Sequence, residues 1–175
     1  MRQSSLRILI AAGLVFQLAI AAPTQETTQA CTEIINALPG KVLTPGLLAL
    51  EFTYETQQYW NNALRTITPA CIVQPESAED VSVVVKTLNK YPTVLFATRS
   101  GGHDTNPGHA TVADGVLISM TNLIGATYDP ATGLASVKPG GDWNRVIGDL
   151  EPSGHVIAGG RLGRNSEVFG ALTHY

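Results

Sequence analysis

The 175-residue chain is short of charge and of cysteine, and each shortage removes a class of function. Only 14% of its residues are charged, the formal net charge is −3, and no run of Lys or Arg follows the first few residues. Without such a run there is no electrostatic footprint for nucleic acid or for an anionic membrane. Cys31 and Cys71 are its two cysteines, so a C-x-x-C metal or redox spacing is absent. No N-x-S/T triplet occurs, which leaves no acceptor for N-glycosylation. Internal repeats and low-complexity linkers are also missing. No G-x-G-x-x-G joins a strand to a helix, which argues against a Rossmann unit. His103, Asp104 and His109 stand in a spacing that fits no common zinc signature, and no further ligand cluster accompanies them.

What is present is a chain with 44% hydrophobic residues, enough for one domain with a substantial core. At its start, Arg2 and Arg7 precede an apolar stretch over 8–22 that is broken by Gln17 and ends in small residues. This reads as a signal peptide cleaved near Ala21 or Ala22, because about 15 residues fall short of the roughly 20 that span a bilayer. An uncleaved anchor is the competing reading. A cleaved leader implies a secreted protein in an oxidising compartment, where an even pair of cysteines reads as a disulfide, with two buried thiols as the alternative.

Residues 24–28 are expected as a mobile polar terminus. Pro39-Gly40 and Pro45-Gly46 interrupt the stretch between the cysteines, which predicts short helices and loops there. Ser77 is a good N-cap with Asp80 three residues on, and Val81, Val84, Val85 and Leu88 form a stripe at i, i+3, i+4, i+7 that predicts a helix facing a sheet. Pro92 ends it. A strand follows over 94–97. Asp142 caps a second helix with Trp143, Val146, Ile147 and Leu150 in the same spacing, and Pro152 stops it. Short strands over 116–120, 126–128 and 134–137 fall between the helices, joined by Asp129-Pro130 and Thr132-Gly133. The order is α+β. Trp143 is expected to pack its helix on the sheet, with stacking on a cofactor as the lesser alternative.

Between strand and turn lies R-S-G-G-H, Arg99 to His103. Adjacent glycines after a strand let successive N–H groups turn inward as a nest for phosphate oxygens, with Arg99 beside them to add charge. Alone, the pentad is an ordinary Gly-Gly loop and His103 a histidine exposed to water. Its neighbours change that reading. Upstream stand Tyr59-Trp60, Thr68-Pro69-Ala70-Cys71-Ile72-Val73 and Pro75-Glu76-Ser77-Ala78-Glu79-Asp80-Val81-Ser82. Downstream come Val116-Leu117-Ile118-Ser119-Met120, Tyr128-Asp129-Pro130-Ala131-Thr132-Gly133, Gly140-Gly141-Asp142-Trp143 and Gly159-Gly160-Arg161. In this order and spacing, from about Cys31 to Arg161, the chain resembles the PCMH-type FAD-binding domain of the vanillyl-alcohol oxidase and p-cresol methylhydroxylase superfamily. The branch it is most similar to is the secreted, berberine-bridge-enzyme-like FAD-linked oxidoreductases common in fungi.

The resemblance implies an α+β fold that is the N-terminal part of such a domain, incomplete at the C-terminus. It divides the chain into a signal peptide (1–22), an N-terminal helical and loop segment (23–70) and a partial FAD-binding domain (71–175). His103 matches the histidine that bonds covalently to the 8α-methyl carbon of the flavin. Arg99, Ser100, Gly101, Gly102 and Asp104 would surround the FAD pyrophosphate, although Asp104 also reads as a turn residue. Cys31 and Cys71 stand where this branch joins two cysteines. A second flavin link through cysteine is excluded, because none occurs beyond Cys71.

After Arg161 the family's glycine-rich wrap is replaced by Leu162-Gly163-Arg164-Asn165-Ser166-Glu167-Val168-Phe169-Gly170. The substrate domain and catalytic base would lie beyond it. The implied function is oxidation of a small organic substrate, such as a secondary-metabolite intermediate, by hydride transfer to flavin with molecular oxygen as acceptor. The rival expectation is a truncated remnant that binds flavin weakly or not at all. No nucleic acid partner is expected, and no membrane after leader cleavage.

Overall fold

The structure is a computed structural model and describes residues 23–160. Residues 1–22, expected as a signal peptide, and residues 161–175, where the expected glycine wrap would begin, lie outside the described residues.

Helix α1 (Gln25–Ala37) begins where a mobile terminus was expected. Thr24 caps it, its hydroxyl accepting from the Thr27 N–H at 3.1 Å. Thr27, Ala30, Cys31, Ile34 and Leu38 then bury one face at helical spacing. The Thr-rich opening is therefore a cap and first turn, not a tail. Strand β1 (Val42–Leu43) and helix α2 (Leu50–Thr56) follow, in keeping with the Pro-Gly breaks between them.

Strands β1, β2 (Cys71–Val73), β3 (Phe96–Arg99) and β4 (Val116–Ser119) form one sheet in the order β1-β2-β4-β3. Strands β2 and β3 run parallel to β4, and β1 is antiparallel to β2. Cys71, Val73, Val116 and Ile118 point to the face covered by α1 and α3 (Ala78–Leu88), while Ile72, Leu117 and Ala97 point to Phe52 of α2 and to Val112. Burial on both faces explains why β2 and β4 read as unbroken apolar runs. A disulfide joins Cys31 on α1 to Cys71 on β2, with the Cα atoms 6.1 Å apart.

Ser77 caps α3 as its sequence predicts, accepting from Asp80 N–H at 3.1 Å, a contribution of about 1 kcal/mol. The buried stripe differs from the expected one. Val84, Thr87 and Leu88 are buried while Val85 is exposed, because α3 packs against α1 as well as the sheet and that second contact turns the helix. Strand β3 starts at Phe96, two residues late. The Val94 N–H closes a turn onto the Tyr91 carbonyl at 3.0 Å, and pairing with β4 begins only at Phe96.

The hairpin of β5 (Ala126–Asp129) and β6 (Leu134–Val137) is covered by α4 (Trp143–Leu150). Asp142 caps α4, accepting from the Arg145 N–H at 2.9 Å. Trp143, Val146 and Leu150 pack on Ala126, Tyr128, Ala135 and Val137, so Trp143 serves packing. Ile147, the fourth member of that expected stripe, is exposed. Helices laid on two small sheets make the α+β architecture the sequence implied.

Candidate functional site

Parallel strands β3 and β4 end level with each other, Arg99 opposite Ser119. The R-S-G-G-H loop leaves from that end. It borders a cleft of about 390 Å³ lined by Ser100, Gly101 and His103 of the loop, by Gly140, and by Tyr54, Tyr59 and Trp60 among others. His103 is exposed on this lining.

Arg99 also borders this cleft, beside Glu55, but not as a free charge. Its side chain is 1% exposed and its guanidinium is engaged inward. Nη2 donates to the Glu55 carboxylate and, at 3.0 Å, to Ser119 Oγ, while Nη1 donates to the Glu55 backbone carbonyl. Ser119 Oγ donates to Glu55 Oε2 at 3.0 Å and lies 2.7 Å from Thr121 Oγ1. The Tyr59 ring stands 5.1 Å from the guanidinium carbon, so the cation rests on an aromatic face as well. The Glu55 carboxylate balances the Arg99 charge. Among the described residues, Arg99 Nε has no partner.

Asp104 takes up the turn that the sequence also allowed. Its Oδ1 accepts from the Asn106 N–H and side-chain amide, each at 2.9 Å, and its Oδ2 pairs with His109 Nδ1 at 2.9 Å. The Asn106 N–H first and His109 second hold its carboxyl below the ordinary aspartate range. Ser100 and Gly101 line the cleft, with Ser100 Oγ donating to the Pro139 carbonyl.

Gly102 is required by the packing of the chain itself. It has φ of +70°, and a Cβ there would lie 2.4 Å from the Gln58 carbonyl oxygen. The close approach that the structure shows is to the chain's own segment 58–60. The Trp60 N–H donates to the Gly102 carbonyl at 3.2 Å and fixes the contact. Further along, Gly159 lies against the Trp143 ring.

Sequence reasoning missed Glu55. Its signal was present: Phe52 and Glu55 are three apart on one short helix, so the carboxylate shares the buried face of Phe52 and must find a cation. No group of three or more His, Cys, Asp or Glu suited to a metal occurs among the described residues. A second cleft of about 390 Å³ between the hairpin and α4 holds the Arg145–Asp149 pair but none of the motif residues.

A family model described as an FAD binding domain matches residues 69–174. An uncharacterized FAD-linked oxidoreductase of Arthroderma benhamiae is 36% identical over 156 residues, covering 86% of this chain and 31% of that protein. The FAD-dependent monooxygenase drtC of Aspergillus calidoustus is 36% identical over 142 residues, 79% of this chain and 27% of that protein. Among solved structures, Physcomitrella patens BBE-like 1 matches with a TM-score of 0.64 at 20% identity, over 79% of this chain and 29% of that one. A variant of berberine bridge enzyme in complex with (S)-reticuline matches with a TM-score of 0.60 at 20% identity, over 76% and 27%. At that identity the structures show the fold. The chain spans less than a third of the length of these relatives.

Proposed function

This chain belongs to the FAD binding domain family, and from that membership we propose that it cradles FAD in an FAD-linked oxidoreductase of the berberine-bridge-enzyme-like type, with His103 as the flavin-linking residue. One observation carries the reading. The strand-end loop brings Ser100, Gly101 and His103 to one cleft, at the carboxyl end of the parallel strands β3 and β4, where ligands commonly settle. The volume of about 390 Å³ suits part of a dinucleotide, and Gly101 leaves the backbone open to an anionic group.

In this reading Ser100 and Gly101 hold the pyrophosphate, and His103 presents an imidazole nitrogen at the rim. Buried Arg99 acts from behind the loop. When bound, FAD would supply an electron-pair acceptor and the 8α-methyl carbon to which the His103 imidazole would link. The whole protein is proposed to oxidise a small organic substrate by hydride transfer, with oxygen as acceptor. Secretion through residues 1–22 belongs to the same proposal, and a Cys31–Cys71 disulfide suits that route.

Acid precipitation of the purified protein tests the histidine. A yellow pellet is expected, with FAD-derived mass on the peptide that contains His103, and a colourless pellet from His103→Ala. Flavin on another residue, or acid-stable flavin in His103→Ala, would refute the assignment.

A further inference from the structure

We propose that Glu55 is the positioning residue for the flavin-linking loop: through Arg99 it sets the backbone of residues 99–103 before any cofactor arrives. The inference rests on the reading of His103 given above and concerns a residue outside the R-S-G-G-H motif. Glu55 and Arg99 are 4% and 1% exposed at their side chains, so solvent does not compete for either charge. Arg99 is the last residue of β3 and the first of the loop, and three of its hydrogen bonds end on Glu55 or on Ser119, which itself bonds to Glu55. The same short segment grips the other end of the loop. Four residues on from Glu55, Tyr59 packs beneath the Arg99 cation, and the Trp60 N–H holds the Gly102 carbonyl at 3.2 Å. Residues 55–60 therefore form a template touching the loop at Arg99 and at Gly102.

Stability alone gives no reason for this arrangement. A buried ion pair stabilises a fold no better, in general, than two apolar side chains of similar volume. What it adds is direction, because the planar guanidinium accepts partners only in its own plane and along its own fork. Two methionines would fill the space without fixing the backbone at residue 99. Replacing the pair should therefore separate two properties that change together in most core variants, namely the stability of the fold and the shape of the loop.

The test compares the wild-type protein with the double variant Glu55→Met/Arg99→Met. Ser119 keeps Thr121 as a partner in that variant, and the Glu55 carbonyl keeps the Gln58 N–H at 3.2 Å. The double variant should unfold near the wild-type temperature, while its acid-stable flavin falls at least ~10-fold, about 1.4 kcal/mol in linkage. Hydrogen exchange at the Trp60 amide should rise with it. A variant that melts like wild type and links flavin like wild type overturns the proposal. Should the double variant not fold, the wild-type protein purified without flavin decides. A protected Trp60 amide supports a loop set in advance, and exchange at the rate of an open amide overturns it. A wild-type protein that never links flavin defeats the role given to His103, while the Trp60 amide still judges Glu55.

Discussion

Replacing Gly102 with alanine should damage this protein far more than the same change at Gly108. Both glycines have positive φ, +70° at Gly102 and +87° at Gly108, so an alanine at either adopts a left-handed conformation at a cost of about 1–2 kcal/mol. At Gly108 nothing lies within 4 Å of the new Cβ, and the cost ends there. At Gly102 the Cβ would sit 2.4 Å from the Gln58 carbonyl oxygen and 3.1 Å from a Tyr59 ring carbon. A backbone oxygen cannot rotate away, so segment 58–60 must move, an overpacking cost of about 1–3 kcal/mol. That movement also strains the Trp60 to Gly102 hydrogen bond at 3.2 Å, worth about 1 kcal/mol. The expected gap between the variants is about 2–3 kcal/mol. For a domain of this size it corresponds to a difference of about 5–10 °C in thermal midpoint. Parallel thermal and urea melts of both variants read the gap directly. Acid-stable flavin should be lost from Gly102→Ala and kept in Gly108→Ala. Two variants with equal midpoints would mean that the loop does not lean on segment 58–60, and the account of Gly102 would fall.

Removing the cross-link by Cys31→Ala/Cys71→Ala should lower stability by about 4 kcal/mol, from the loop of 40 residues it closes, seen as an earlier urea midpoint; two freely alkylatable thiols in native protein would show that no bridge forms. The turn at Asp104 should open in acid. Its carboxyl is held below the ordinary value in the folded chain, so the stabilisation is present above about pH 4 and is lost as pH falls through the lowered value. Protection of the Asn106 amide should vanish in that acid range, and an amide equally protected when Asp104 is protonated would contradict the assignment.

Much of the fold was legible because its signals are local. Ser77 and Asp142 are caps whose hydrogen bonds reach three residues, and both helices start where those residues stand. The hairpin strands likewise lie where turn residues bracket them. Errors arose where a distant partner decides. Val85 and Ile147 satisfy the periodicity yet face solvent, because the rotation of a helix is set by what packs on it, which for α3 includes α1. Residues 24–28 looked polar and loose only while the apolar face they begin was overlooked.

The candidate site divides along the same line. The pentad advertises a loop, and the structure keeps Ser100, Gly101 and His103 on the cleft. Arg99 borders the same cleft, yet it and Gly102 each meet a residue more than 40 positions earlier: Arg99 pairs with Glu55 and Gly102 packs on Gln58. No pattern within the pentad can encode those contacts. The FAD-binding family match begins at residue 69, after the whole of segment 55–60. The motif and its support therefore lie on opposite sides of that boundary. A glycine that packs on Gln58 ties the motif to this one segment. Variation in residues 55–60 should for that reason alter the loop without touching any residue of the motif, and the Trp60 amide is where such a change would first be seen.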